Sequence, residues 1–186
     1  MRIIIDDFLE PKDRDNLFEF ITNPNFPYFL TDQYTNRLSN SHPDYKYNPK
    51  EWRMIHAISE QGNHVSPLDI EPLLEPIRNK LNPVFIIREK LNMDINKGVP
   101  YKSGYHLDYS FLTESNFYTG IYYINGNNGY TQFQSDGACV ESKQNRFLLF
   151  RGDCYHRGVT QTDTERRYVL NLNYYLTQIP LKGKKF

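Results

Sequence analysis

The chain has few cysteines and no long apolar run. Two of its 186 residues are cysteines, Cys139 and Cys154. That number is too small for a disulfide framework, so we expect a reducing, intracellular environment, the cytoplasm. No apolar run approaches the roughly 20 residues that cross a bilayer. The N-terminal residues Ile5-Asp6-Asp7 turn acidic too early for a secretory signal, so we expect no membrane partner.

The chain also lacks an excess of charge of either sign. Lys and Arg together number 22, Asp and Glu also number 22, and the formal net charge is zero. A protein that coats nucleic acid needs a clear positive excess. The basic residues 182–185 resemble the solvated chain end that a short charged terminus usually forms. Nucleic acid is therefore a disfavoured partner.

Aromatic residues, in contrast, are abundant, with 15 Tyr and 12 Phe, which suits strand surfaces and pocket walls. From about residue 84, short β-rich runs predict an antiparallel sandwich or barrel. Because 186 residues suffice for one domain and are too few for two, we expect a single domain over 1–186. Its β-barrel core is residues 84–178, and residues 1–83 form a supporting helical layer. Glycine-containing turn signals separate the strands at 97–98, 103–104, 125–129, 136–137 and 151–153.

The N-terminal part predicts two strands and two helices. Residues 2–5 and 52–58 have strand character, and apolar spacing predicts helices over 12–21 and 67–82. Residues 23–50 are rich in Asn, Pro, Tyr and Asp and predict a long irregular segment. A loop of that length is uncommon unless it is functional, so it is a candidate lid over a binding site.

Three residues form a candidate metal site. In a strand, His106 and Asp108 project to the same face, because side chains at i and i+2 share a face. His156 follows a turn at 151–153 and begins another short strand, which a folded-back sheet would return to the first pair. Two His and one carboxylate leave one side of a metal open, which suits non-haem Fe(II) oxygenases that bind a co-substrate and O₂ there.

A later strand alternates apolar and polar side chains. The apolar set is expected to pack against the helical layer, and the polar set, which includes Arg167, Asn171 and Asn173, to line the interior. An inward guanidinium needs an anion, and a dicarboxylate co-substrate supplies one. A register slip of one residue would exchange Arg167 for Arg166, so the choice between these two arginines stays open.

His106-x-Asp108, then His156, then an arginine about ten positions later, resembles the signature of the 2-oxoglutarate/Fe(II) oxygenase superfamily. The chain is most similar to the prolyl 4-hydroxylase-like group, which includes small phage and bacterial members. Three further segments carry the likeness: Ile5-Asp6-Asp7-Phe8-Leu9, Gly120-Ile121-Tyr122-Tyr123-Ile124-Asn125 and Gly129-Tyr130-Thr131-Gln132-Phe133.

The resemblance implies a mainly β fold with supporting helices, a double-stranded β-helix (jelly-roll) barrel. It implies His106, Asp108 and His156 as ligands of Fe(II), with 2-oxoglutarate as co-substrate and ascorbate as a supporting reductant. Arg167 would bind the distal carboxylate of 2-oxoglutarate, and Tyr123 matches a position that donates a hydroxyl to it. Further residues expected near the co-substrate are Tyr101 and Asn173.

The implied reaction is hydroxylation with release of succinate and CO₂. The carboxylate Asp108 argues against halogenation, since halogenases of the superfamily vacate this position for chloride. A prolyl residue of a peptide or protein is the first substrate choice, a free amino acid or other small molecule the second, and a nucleobase the third. A non-catalytic, cupin-like binding barrel and a structural or interaction protein on the same barrel remain alternatives.

Overall fold

The computed structural model describes residues 1–31, 52–109, 112, 116–179 and 183–185. Two helices, α1 and α2, lie in the N-terminal part, at Pro11–Thr22 and Glu71–Leu81. The strands β1 to β12 are, in chain order, Arg2–Ile5, Phe29–Thr31, Arg53–Glu60, Asn63–His64, Phe85–Ile95, Phe117–Tyr123, Tyr130–Phe133, Cys139–Glu141, Arg146–Arg151, His156–Val159, Arg166–Tyr175 and Lys184–Lys185.

The strands form two antiparallel sheets. The larger has the order β12-β1-β9-β6-β11-β5-β3-β2, with β4 paired to β3, and the smaller has the order β10-β7-β8. Both sheets contribute to the walls of one cavity: Asn92 and Val169 come from the large sheet, and Thr131 and His156 from the small one. The predicted mainly β, jelly-roll fold is confirmed.

The two helices cover the outer face of the large sheet. Leu17 and Ile21 of α1 are fully buried, as is Ile77 of α2, because each helix turns an apolar stripe toward the strands. On β11, the buried partners of this layer include Leu170 and Leu172. Burial at these alternating positions leaves the intervening residues of β11 facing the cavity.

The helix predicted over 67–82 begins four residues later, at Glu71. Ser66 Oγ accepts a hydrogen bond from the Leu68 backbone N–H at 3.0 Å, and Ile70 N–H donates to the Leu68 carbonyl at 3.0 Å. A serine that bonds the backbone two residues on forms a turn that competes with helix formation. The helix therefore begins only after this turn.

The segment predicted to be irregular over 23–50 contains a strand. Its residues 29–31 pair with β3, with Phe29 opposite Ile55, so this part of the prediction is wrong. The pairing partner lies more than twenty residues away in sequence, and local composition does not reveal such a contact. Residues 23–28 are irregular as predicted, and residues 32–50 of the candidate lid lie outside the described residues.

Among the described residues, neither helix has the length and apolar character required to span a bilayer. The two cysteines are free, with Cys139 exposed and Cys154 partly buried.

Candidate metal centre and co-substrate pocket

The structure brings together the three side chains proposed as metal ligands. One ligand atom from each of His106, Asp108 and His156 lies within 4.8 Å of the other two. His106 and His156 face each other as an antiparallel bridge, in which each backbone N–H donates to the other's carbonyl at 3.0 and 3.1 Å. The first pair does not lie on a continuous strand as expected, because the segment around His106 pairs only through isolated bridges. The bridge nevertheless fixes both rings, whose centroids are 4.7 Å apart.

Each histidine ring is oriented by a carbonyl oxygen two residues before it. His106 Nδ1 lies 3.1 Å from the Gly104 carbonyl, and His156 Nδ1 lies 3.1 Å from the Cys154 carbonyl. A carbonyl only accepts, so Nδ1 of each neutral ring carries the proton and Nε2 keeps its lone pair. Second-shell bonds of this kind fix the tautomer of metal-binding histidines. Both Nε2 atoms are therefore prepared to bind a cation.

The Asp108 carboxylate has one oxygen held by the protein and one directed toward the histidines. Oδ2 accepts hydrogen bonds from Asn173 Nδ2 at 2.8 Å and Thr119 Oγ1 at 3.1 Å. Oδ1 lies 3.8 Å from His106 Nε2 and 3.5 Å from an Arg88 nitrogen. With Oδ2 occupied, Oδ1 is the natural ligand atom. The donor set, two imidazole nitrogens and one carboxylate oxygen, fits an Fe(II) ion.

The ionisation of these groups also suits a metal. Burial, and after it the neighbouring His156, lowers the pKa of His106 to about 3. Burial raises the pKa of Asp108, but the charges of His156, Arg88 and His106 and the hydrogen bond from Asn173 outweigh it and hold the pKa well below its usual range. At neutral pH, His106 is thus neutral and Asp108 ionised, the forms in which they bind metals.

The cavity between the sheets contains Arg167 beyond the histidines. Arg167 is 2% exposed. Its Nε donates a hydrogen bond to Ser142 Oγ at 2.9 Å, and its Nη1 donates one to Asp94 at 3.2 Å. Its neighbour Arg166 is exposed and lies on the outer face, 3.5 Å from the Tyr168 hydroxyl. Arg167, and not Arg166, therefore lines the cavity.

Two charged residues that the sequence analysis did not single out complete this end of the cavity. Arg53 of β3 donates to Asp94 of β5 at 3.1 Å, and Asp94 also accepts from Arg167. Two guanidinium groups against one carboxylate leave one net positive charge, which matches one carboxylate of a dianionic ligand. The polar alternation of β5, from Arg88 to Asp94, was a sequence signal for this wall, parallel to the one recognised in β11.

The absence of a side chain at Gly129 leaves room for the aliphatic part of Arg167 to pack against the backbone there. A Cβ built on Gly129 would lie 2.9 Å from Arg167 Cδ and 2.9 Å from the Val159 carbonyl. Both contacts are closer than side-chain carbons tolerate, so any larger residue at this position would displace the arginine or the backbone.

The remaining expected site residues lie at different distances from this cavity. Tyr123 is fully buried, its hydroxyl donates to Thr131 Oγ1 at 2.8 Å, and Arg167 lies 5.8 Å from its ring centroid. The ring of Tyr101 makes a cation–π contact with Lys97, whose Nζ lies 4.4 Å from the ring centroid. Tyr101 is not among the residues that line the described cavity. Asn173 contacts Asp108 directly, which places it behind the metal ligands and away from Arg167.

Solved structures with similar folds were found across nearly the whole chain. A prolyl hydroxylase from Trichoplax adhaerens, in complex with a peptide fragment of the hypoxia inducible factor oxygen degradation domain, has a TM-score of 0.64. It is 14% identical, and the match covers 94% of this chain and 83% of that one. An oxidoreductase of the 2OG-Fe(II) oxygenase family from Burkholderia pseudomallei has a TM-score of 0.59 at 11% identity, covering 98% and 86% of the two chains.

A prolyl-4-hydroxylase from Pseudomonas putida has a TM-score of 0.56 at 14% identity and covers 95% of this chain and 93% of that one. No family model and no curated protein sequence matches the chain. At these identities the likeness demonstrates a common fold. The predicted resemblance to this superfamily is thus confirmed at the level of the fold.

Proposed function

We propose that this chain, which has the fold of the 2-oxoglutarate- and Fe(II)-dependent oxygenases, is itself such an enzyme and hydroxylates its substrate. The observation that carries the proposal is the convergence of His106, Asp108 and His156, whose ligand atoms lie within 4.8 Å of one another. The same cavity contains a buried guanidinium, Arg167. A site for a metal and a site for a dicarboxylate thus share one enclosure.

Each protein group has a distinct role in this proposal. His106 Nε2, His156 Nε2 and Asp108 Oδ1 would hold Fe(II), and Arg167 would bind the distal carboxylate of 2-oxoglutarate. With both bound, the metal and co-substrate supply oxidative decarboxylation to succinate and CO₂ and the oxidising power for hydroxylation of a C–H bond. Ascorbate would serve as a supporting reductant that keeps the iron ferrous.

The protein holds in place the side chains that would bind these ligands. Asn173 and Thr119 hold Asp108 by its outer oxygen, so its ligand oxygen keeps one orientation. Ser142 and Asp94 hold the guanidinium of Arg167. Groups fixed in this way need little reorganisation when the ligands bind, which is the main contribution that a protein makes to such a site.

A prolyl residue of a peptide or protein is the proposed first class of substrate. The neighbours described as prolyl hydroxylases, one of them in complex with a peptide, support this choice. A free amino acid or another small molecule is the second class. We further propose an intracellular location, which the two free cysteines support.

The test is succinate formation from 2-oxoglutarate with Fe(II), ascorbate and air, measured without added substrate and then with peptides and metabolites. The wild-type protein is expected to form succinate, and His106→Ala and His156→Ala to lose this activity to the background level. His64→Ala is the matched control, because His64 is exposed and contacts Glu71 outside the site. A barrel that only binds ligands would give no succinate under any of these conditions, and that result would refute the proposal.

A further inference from the structure

Every second residue of β5 from position 88 to position 94 has a polar side chain on the inner face of the strand. Arg88, Lys90, Asn92 and Asp94 alternate with residues of the opposite face. Arg88 is paired with Asp108, and Asp94 with Arg53 and Arg167. Among the described residues, the Lys90 ammonium has neither a hydrogen-bond nor a salt-bridge partner. It is the cation of this wall whose charge is not matched by a contacting anion.

Along the strand direction, Lys90 is at nearly the same height in the sheet as the proposed metal ligand Asp108. In the large sheet it is paired with Asn171 of β11 on one side and with Ala57 of β3 on the other. The side chain of Asn171 reaches Asp108, with 3.5 Å between Nδ2 and Oδ2. Directly paired residues have Cβ atoms about 5 Å apart, so Lys90 lies beside Asn171, which lines the cavity, and is near enough to Asp108 for their charges to interact.

The surroundings of Lys90 favour an anionic ligand. Burial, and then the charges of Arg88 and Arg53, lower the pKa of Lys90 to about 7, while Asp108 and Glu60 oppose this shift from a distance. The ammonium thus lies near other cations, in surroundings that disfavour its charged form. A bound carboxylate would offset both effects.

The distal carboxylate of 2-oxoglutarate is too far away to be this anion. Lys90 and Asp94 are four residues apart on one strand, or about 13 Å, and Arg167 binds Asp94. The other carboxylate of 2-oxoglutarate would be bound by the metal, so a diacid held by the metal at one end and by Arg167 at the other has no further carboxylate for Lys90. The prime substrate, in contrast, must place its reacting carbon beside the metal.

Two amide oxygens indicate a second requirement of the substrate. Asn92 Oδ1 and Asn171 Oδ1 are buried without a hydrogen-bond partner, and both residues line the cavity. Such atoms require a donor, because a buried acceptor without a partner is costly. The 2-oxoglutarate dianion offers acceptors only, so it cannot donate to these two oxygens.

From these contacts we infer that the prime substrate carries a carboxylate, bound by Lys90, together with an N–H donor for the asparagine oxygens, both close to the oxidised carbon. The inference rests on the proposed function and defines its substrate class. Free amino acids have both groups within a few bonds. An acidic side chain in a peptide offers the same carboxylate, and the experiment below distinguishes the two sources.

The test compares matched pairs of probes in the succinate assay. The panel consists of the twenty free amino acids, their C-terminal amides, and capped prolyl peptides with and without one Asp or Glu. At least one carboxylate-bearing probe is expected to raise succinate formation above the substrate-free rate. Its amide, or its neutral peptide counterpart, should need an about 10- to 100-fold higher concentration, the usual effect of losing a charged hydrogen bond.

Three variants then test whether Lys90 causes the preference for the acid over the amide: Lys90→Met, Lys90→Arg and Lys12→Met. In Lys90→Met the KM for the acid should rise to that of the amide, with the KM for the amide unchanged, so that the preference disappears. Lys90→Arg should retain it, and so should Lys12→Met, which makes the same change at an exposed position of α1.

Three results would overturn the inference while leaving the oxygenase activity intact. They are an acid preference that persists in Lys90→Met, a substrate that is turned over equally as acid and amide, and a panel in which no carboxylate-bearing probe raises the rate. A wild-type protein that forms no succinate even without substrate would instead refute the proposed function itself.

Discussion

The choice between Arg167 and Arg166 depends on which face of β11 each side chain occupies. The alternation of β11 is visible in the sequence, and the structure has the same parity: Tyr168 and Leu170 are in the helix-side core, and Arg167 is in the cavity. A strand that is buried on both faces fixes its register strongly, because a slip of one residue would bury the wrong set of side chains.

We predict that Arg167→Met raises the KM for 2-oxoglutarate about 10- to 100-fold, the usual loss for a charged hydrogen bond. Arg53 continues to pair with Asp94 in this variant, so the carboxylate is not left alone. Arg166→Met is the control and is expected to change the KM less than about twofold, because Arg166 contacts Tyr168 on the outer face. A larger effect at Arg166 would contradict the assignment. The measurement is initial-rate kinetics with 2-oxoglutarate varied.

The buried state of His106 predicts a pH dependence of stability for the metal-free protein. Its pKa is lowered from 6.5 to about 3 in the folded chain, so between these values the unfolded state binds more protons. Stability is therefore fully present above pH 6.5 and is lost as pH falls toward 3. From pH 7 to pH 5 the expected loss from this one group is about 2 kcal/mol.

Urea unfolding at both pH values in the presence of a chelator measures this loss. His106→Gln cannot take up the proton and should show a smaller loss between the two pH values. If the variant and the wild type lose the same free energy of unfolding between pH 7 and pH 5, His106 does not contribute to the pH dependence of stability.

At the scale of elements, an ion-pair network joins α2 to the large sheet. Glu89 of β5 is fully buried on the outer face and accepts hydrogen bonds from Arg78 of α2, from Ser59 Oγ of β3 at 2.8 Å and from the Tyr174 hydroxyl of β11. Because Glu89 neighbours Lys90 on the same strand, this network also fixes the wall on the opposite side of the sheet.

We predict that Glu89→Gln lowers the free energy of unfolding by about 3 kcal/mol. Removal of one partner of a buried ion pair typically costs about 3–5 kcal/mol, and the lower end applies because Arg78 keeps its pair with Glu71. Glu75→Gln makes the same change at an exposed position of α2 and should stay within about 0.5 kcal/mol of wild type. Urea denaturation of the three proteins measures these changes. An unchanged free energy of unfolding in Glu89→Gln would show that the network does not stabilise the fold.

The elements differ in how far the sequence predicts them. Helix α1 and the alternating strand β11 follow from periodicity, which is a local property. The start of α2 and the strand β2 were missed, since the first depends on the Ser66 hydroxyl and the second on pairing with a distant strand. Arg53 and Asp94 meet only because β3 and β5 are neighbours in the large sheet, and pairing order is not a local property of a sequence.

At the scale of the whole molecule, the two sheets converge on one cavity. The ligands come from two separate segments, around residues 106 and 156, which meet through isolated bridges, one of them between His106 and His156. The spacing of His106, Asp108, His156 and Arg167, together with the family resemblance that it carries, predicted these four as site residues. Their distances, the carbonyl contacts of the two rings and the ammonium of Lys90, which has no partner among the described residues, depend on how the sheets pack and required the structure.

The central claim is that one ion binds these three side chains while Arg167 binds the far end of 2-oxoglutarate. Crystals grown without oxygen in the presence of Mn(II) and 2-oxoglutarate test it directly by anomalous diffraction. The account predicts one strong peak about 2.0–2.3 Å from His106 Nε2, His156 Nε2 and Asp108 Oδ1, with the far carboxylate of 2-oxoglutarate against the Arg167 guanidinium. A peak elsewhere in the molecule, or a co-substrate whose far carboxylate points away from Arg167, would contradict it.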